Sequence, residues 1–182
     1  MTYAKNARIR LSTCILSVLL FACQAPSPPL QVVDSVDLER YQGRWYEIAS
    51  FPQRFQKGCT ATTAVYSRRQ DGRIRVDNSC RDGSLDGPMR EAEGVAWQTD
   101  PDGSSAKLAV RFFWPFYGSY WVIELAPDYE WAVVGHPSRD YLWILSRSPQ
   151  MDPATYQMLL GRIEAHGYEL SRLERTLQPA GR

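Results

Sequence analysis

Cys59 and Cys80 stand on either side of a turn signal at Asp71-Gly72, and two thiols placed around one hairpin have three chemistries open to them. They can close a disulfide, remain as free buried thiols, or contribute to a metal site. The metal is the weakest reading, because the chain has two histidines, His136 and His166, and neither lies near the cysteines in sequence. Pairing about Asp71-Gly72 also puts the cysteines out of step with the face carrying Tyr66 and Ile74, so a β-bulge is required somewhere in the hairpin. His136 precedes Pro137 at the end of an apolar stretch. His166 sits beside Gly167, where a cation interacts well with the carbonyl end of a helix. The chain holds no Gly-x-Ser-x-Gly elbow, His-Glu-x-x-His site, phosphate loop or dinucleotide fingerprint. Gly83-Ser-Leu-Asp-Gly87 misses the elbow spacing and reads as a turn. These residues give no reason to expect an enzyme, a metal or a cofactor.

Charge narrows the partners. The formal net charge is +1 and the basic residues are scattered, which leaves no stripe for nucleic acid and no polybasic patch for a membrane. Aromatic content of 12% does not alter this, since aromatic side chains are not interleaved with basic ones.

From Asp37 onward the chain is a series of short alternating stretches. Eight strands are predicted: Gly43 to Phe51, Thr60 to Ser67, Arg73 to Asn78, Met89 to Trp97, Lys107 to Phe113, Tyr120 to Leu125, Trp131 to Val134 and Tyr141 to Ser146. Gln70-Asp71-Gly72, Asp82-Gly83, Asp86-Gly87-Pro88 and Asp100-Pro-Asp-Gly103 punctuate them with turn chemistry. Alternation assigns the faces. Leu108, Val110 and Phe112 oppose Lys107, Ala109 and Arg111; Ile74 and Val76 point inward between charged neighbours; and Glu124 facing water puts Trp121, Ile123 and Leu125 inside. One wet and one apolar face per strand is what an antiparallel up-and-down sheet closed on itself requires, and an eight-stranded barrel either fills with side chains or holds one small ligand. A single helix follows, capped by Asp152, opened by Pro153 and ended by Gly167. Its stripe of Tyr156, Leu159, Leu160 and Ile163 predicts packing on the outside of the barrel. Glu169 to Leu177 is a candidate ninth strand.

The start of the chain has the pattern of a secretory leader. Lys5, Arg8 and Arg10 precede an apolar run from Leu11 to Ala22, and Gln24-Ala-Pro-Ser-Pro-Pro29 follows it. At about a dozen residues the run is too short to span a bilayer. Leu20-Phe21-Ala22-Cys23 resembles the lipobox of bacterial lipoproteins, which implies cleavage before a lipid-modified Cys23; an ordinary leader with an incidental cysteine is the alternative. Cys14 competes poorly, with almost no apolar run before it. Gln24 after the cysteine implies sorting to the outer membrane, by likeness to the rule in enteric bacteria. The expected organisation is a leader over 1–22, a lipidated tether over 23–36, extended by its prolines, and one domain over 37–178. Removing the leader leaves about 160 residues, enough for one domain with a genuine core.

Gly43-Arg-Trp-Tyr46 resembles the first signature of the lipocalins, and Arg139-Asp-Tyr-Leu-Trp-Ile-Leu-Ser-Arg147 resembles the later ones. Between them, Phe113-Trp-Pro-Phe-Tyr-Gly118 and Tyr120-Trp-Val-Ile123 resemble the bacterial lipoprotein members of that family and, more distantly, apolipoprotein D. The likeness runs from Val36 to Gln178. It implies an eight-stranded lipocalin β-barrel with the C-terminal α-helix outside. It also implies structural roles for Gly43, Trp45, Asp140, Tyr141 and Arg147, with Arg147 lying across Trp45 as a cation–π lid. The ligand class it implies is fatty acids or lysophospholipids. Alternation puts Val110, Phe112, Trp121 and Ile123 in the pocket; Tyr66, Asn78 and Trp143 join them by their match to the family. The alternative is that those side chains simply fill a small barrel. Two other classes stay open: an envelope structural or stress-interaction protein, a homodimer among its forms, using Phe113 to Tyr117 as a contact; and a lipocalin-fold enzyme, which would need a reactive thiol or a carboxylate cluster inside the barrel and which a free Cys59 or Cys80 would revive. Haem or pigment binding is a variant of the ligand reading.

Overall fold

The computed structural model describes residues 28–180; the expected leader and Cys23 lie outside them. Among the described residues, besides two 3-10 turns (Arg54–Gln56 and Leu170–Arg172), the fold has nine strands and two α-helices: α1 (Leu38–Tyr41), β1 (Gly43–Ser50), β2 (Cys59–Arg68), β3 (Ile74–Asp82), β4 (Met89–Gln98), β5 (Lys107–Phe113), β6 (Phe116–Leu125), β7 (Trp131–Gly135), β8 (Leu142–Ser146), α2 (Pro153–Ala165) and β9 (Glu174–Arg175). Every ladder is antiparallel. The order runs β2-β3-β4-β5-β6-β7-β8-β1, and pairing of β1 with β2 closes the eight strands into a barrel. The eight expected strands are all present. β6 begins four residues earlier than alternation suggested, because the Phe116–Ser119 segment continues the hairpin with β5.

Two apolar clusters hold the fold. The first fills the inside: Trp45, Tyr66, Ile74, Val76, Leu108, Val122 and Leu145 are buried there. The second lies between the barrel wall and α2, where Ile48, Ile144, Leu159 and Ile163 are all nearly or fully buried. Asp152 caps α2 through its carboxylate, which accepts from the Thr155 amide at 2.9 Å. The Glu124 carboxylate, at the end of β6, accepts from Arg162 and lies 2.9 Å from the His166 ring, so polar contacts also tie the helix to the wall. The ninth strand is short. It pairs with the mouth end of β1, and the residues after it continue the wall: the Thr176 amide donates to Ile48 O and the Ala61 amide to Leu177 O.

The segment before the barrel is extended, but its described part is not free of the domain. Leu30 and Val36 are buried, and the Val33 amide donates to Val122 O at 3.1 Å. The apolar alternation of Leu30, Val32 and Val36 gives this stretch a face that packs, which the prolines before it lack.

Candidate functional site

The barrel has one plugged end. Trp45 is fully buried, and its indole N–H donates to Tyr41 O at 2.8 Å. The Arg147 guanidinium lies 3.8 Å from the centre of the indole, with further bonds to Arg44 O and Arg40 O at 2.9 and 2.8 Å. A stacked, half-desolvated guanidinium contributes about 1–2 kcal/mol here. Gly43 beside it has φ 90°, a backbone conformation that favours glycine, and an added Cβ would just touch Arg147 Nη1 at 3.4 Å. Above Trp45, the hydroxyls of Tyr41, Tyr120 and Tyr66 form a line, 2.9 Å between each neighbouring pair. Burial pushes the Tyr66 phenol up to about 12 and raises Tyr41 and Tyr120 well above the usual tyrosine range. The space left beside them is about 10 Å³, no more than one water would need.

The other end is open. Connections β1–β2, β3–β4, β5–β6 and β7–β8 form its rim. Just inside it, Val110 and Phe112 line one wall; Phe112 lies against Gly94, where an added Cβ would fall 2.7 Å from the ring. Asn78 pairs with Ala64 across the ladder and shares their inward face, and its Oδ1 is buried with no partner in the protein. On the opposite wall the Trp143 indole donates to Gln56 Oε1 at 3.2 Å, and the Gln56 amide donates to Glu47 Oε2 at 2.8 Å. Glu47 also accepts from Ser50 and Thr176. It also lines a recess of about 440 Å³ beside the mouth, framed by the β1–β2 connection, Cys59 and the β9 segment; Val110, Phe112, Asn78 and Trp143 are not among its walls.

The sequence-predicted residues divide accordingly. Val110, Phe112, Asn78 and Trp143 line the inside near the mouth, whereas Tyr66 belongs to the plugged end and spends its hydroxyl on Tyr120. Trp121 and Ile123 are corrected: they face outward. Ile123 packs with Leu159 and Ile163 beneath α2, and Lys107 Nζ lies 4.7 Å from the centre of the Trp121 ring. The cause is a bulge. The β6–β7 register slips between Val122 and Glu124, leaving Ile123 and Glu124 on the same outer face, so Tyr120 and Val122 take the inward places and Leu125 follows them.

Cys59 and Cys80 are joined in a disulfide, and the hairpin they brace carries a register shift between Thr60 and Thr63, with Ala61 at φ 49°. Neither cysteine therefore supplies the free thiol that would revive the enzyme reading. Asp140 accepts from the Ser138 hydroxyl at 2.7 Å in the β7–β8 connection, and Tyr141 stacks on Trp143 with 6.1 Å between ring centres. Tyr41, Tyr120, Glu47 and Gln56 were missed by sequence reasoning. Glu47 had a usable signal, two places after Trp45 on one strand, whereas Gln56 sits in a connection with none.

A closed eight-stranded β-barrel plugged by a Trp–Arg pair at one end, with Val110, Phe112, Trp143 and Asn78 on its inner face towards the other, defines the class: a calyx-like antiparallel barrel. The comparisons agree. Residues 36–178 match the family model described as a lipocalin-like domain. The chain is 44% identical over 157 residues to temperature-induced lipocalin-1 of Arabidopsis thaliana, covering 82% of this chain and 83% of the plant protein. It is 44% identical over 163 residues to the outer membrane lipoprotein Blc of Citrobacter freundii, covering 88% and 91%, and 34% identical over 187 residues to mouse apolipoprotein D, covering 97% and 88%. Among solved structures, insecticyanin from Manduca sexta superimposes with a TM-score of 0.66 at 23% identity, over 85% of this chain and 87% of that one. The chain belongs to the lipocalin family.

Proposed function

We propose that this lipocalin is a membrane-anchored carrier that binds single fatty acids or lysophospholipids in the cell envelope and stores them or hands them on. The observation that carries the reading is the asymmetry of the barrel: a packed base beneath an inner wall of Val110, Phe112 and Trp143, with the buried, unpartnered Asn78 Oδ1 and the Glu47 recess near the mouth. The apolar wall suits a hydrocarbon chain, and Asn78 suits a polar head. Burying a twelve-carbon chain at about 0.8 kcal/mol per CH₂ contributes close to ~10 kcal/mol before the costs of association, so micromolar affinity needs no special polar contact. The anchor is lipid on Cys23 after removal of residues 1–22, with residues 37–178 as the binding domain and the outer membrane as its place. The lipobox-like Leu20-Phe21-Ala22-Cys23 and the likeness to outer membrane lipoproteins support that placement.

Binding rather than catalysis is favoured because Cys59 and Cys80 are spent on a disulfide and, among the described residues, Glu47 is a lone buried carboxylate rather than one of a cluster. The test is native mass spectrometry of the chain beginning at Gln24, purified from bacteria, followed by titration with dodecanoate and lysophosphatidylcholine. Near-stoichiometric lipid, co-purified or added, is expected. An empty barrel that takes up neither ligand up to millimolar concentration would end this reading and favour an interaction role for the exposed Phe113–Tyr117 segment.

A further inference from the structure

Apolar exposure on this barrel is concentrated at one end. Phe113, Trp114, Phe116 and Tyr117, at the β5–β6 turn, are between 70% and 81% exposed, and Phe55 of the β1–β2 connection is 59% exposed. Met89 and Tyr141 add to the same rim. At the plugged end, by contrast, no large apolar side chain among the described residues is exposed: the connections there are Arg69–Arg73, Thr99–Ala106 and Ala126–Glu130, built from charged and small residues around the buried Tyr129. Four neighbouring aromatic side chains held in water on one turn are a patch that calls for a partner.

The course of the chain says which partner. The Arg139 guanidinium donates to Pro28 O at 2.7 Å, and Arg139 lies in the β7–β8 connection, next to β5–β6 around the rim. The chain therefore leaves the described domain at the mouth, not at the plug. Cys23 is five residues further on, a reach of at most about 18 Å. A lipid on Cys23 holds Pro28 within that distance of a bilayer surface, and with it turns the mouth, including the neighbouring β5–β6 connection, towards that surface. Phe, Trp and Tyr are the side chains that settle at the membrane–water boundary, where a ring is half dry and its polar edge stays wet.

We infer that the β5–β6 turn, with Phe113, Trp114 and Phe116 at its tip, docks into the interfacial layer of a phospholipid bilayer, so that the mouth of the barrel opens directly onto the lipid surface. Insertion to a depth of about 5–10 Å takes the tip below the head groups while the remaining rim stays in contact with them. The inference rests on the lipid-anchor reading for its geometry, but its signal does not.

The experiment uses the purified protein in whichever form it is made, with or without lipid on Cys23. It is mixed with phosphatidylcholine vesicles whose acyl chains carry bromine near the glycerol end, and tryptophan fluorescence is read together with flotation. Quenching is expected in the wild type and is expected to disappear in Trp114→Phe, which keeps an aromatic ring at the tip and still floats. In protein without the lipid, Phe113→Ser combined with Phe116→Ser is expected to weaken flotation by about tenfold. Absence of quenching in the wild type, or equal quenching in Trp114→Phe, overturns the inference. So does a wild type that sediments as a dimer and becomes monomeric in the Ser variant without ever being quenched, which would make a second copy of the chain the occupant. Lysophosphatidylcholine binding in solution is expected to be unchanged in Trp114→Phe. Its loss in the wild type would bring down the carrier reading alone, and failure of the intact protein to carry lipid would bring down the anchor alone.

Discussion

At the plugged end Trp45 is fully buried under Arg147, and three tyrosine hydroxyls satisfy one another with almost no space between them. At the mouth the same strands carry Asn78 with an unpartnered oxygen, Glu47 beside a recess, and a rim of exposed aromatics. One end is thus a core that happens to be cylindrical, and the other is a surface folded inward. Close packing and desolvated polar contacts at the base stabilise the barrel, and the mouth keeps polar groups under-satisfied, which suits a region that exchanges its contacts for those of a ligand.

The base is where the largest loss of stability is expected. Trp45→Ala removes the plug and the cation–π partner together and is expected to cost about 3–5 kcal/mol, lowering the melting temperature by roughly 10 °C while leaving the affinity of the folded fraction nearly intact. An unchanged melt would mean the base is not the source of stability. Next comes the brace at the mouth. Replacing Cys59 and Cys80 by serine opens a link across 21 residues and is expected to cost about 3 kcal/mol in a denaturant titration, with weaker ligand binding as well.

Alkali distinguishes the two ends through the tyrosine line. The folded state holds the Tyr66 proton up to about 12, whereas an unfolded tyrosine releases it near 10. Above that lower value the unfolded state binds fewer protons than the folded one, so stability is complete below pH 10 and falls as pH rises through about pH 12, by about 1.4 kcal/mol per pH unit for each such phenol. Urea titrations on either side of pH 10 should show the decline, and Tyr66→Phe should make it shallower. The smallest effect on stability belongs to the lumen. Phe112→Ala, in a half-buried position, should cost about 1 kcal/mol or less, yet weaken binding of a twelve-carbon ligand by about tenfold in a fluorescence titration. If stability and affinity fell together, the mouth would be core after all.

Much of this division was legible in the sequence. Alternation in Lys107 to Phe113 placed Leu108, Val110 and Phe112 inward, the Asp152 and Pro153 signals marked α2, and the spacing of Gly43, Trp45 and Arg147 matched a family whose plug the structure contains. The limit was the parity of β6. A bulge adds one residue without any mark in composition, and from Glu124 backwards every face inverts, so Trp121 and Ile123 were assigned inside while Tyr120 and Val122 hold those places. The tyrosine line was equally hidden, because Tyr41, Tyr66 and Tyr120 come from a short helix and two distant strands. Gln56 reaches Glu47 and Trp143 from a connection, where no periodicity exists to read.

The seam beside β1 has a further consequence, for the order in which the chain can fold. β1 is made early but pairs with β8 about a hundred residues later, and at the mouth its other edge is completed by Thr176 and by Gln178, whose amide donates to both Glu47 O and Thr62 O at 2.8 Å. Hairpins from β2 to β6 can form from near neighbours, but the cylinder cannot shut until β8 is available to pair with β1, and the mouth end of the seam is sealed only later, by Thr176 and Gln178. Its rate-limiting search is therefore a long-range one, slow by the standard of local contacts. A chain cut short of Thr176 would carry an unpaired strand edge through the whole of that wait, an invitation to pair with its own copies.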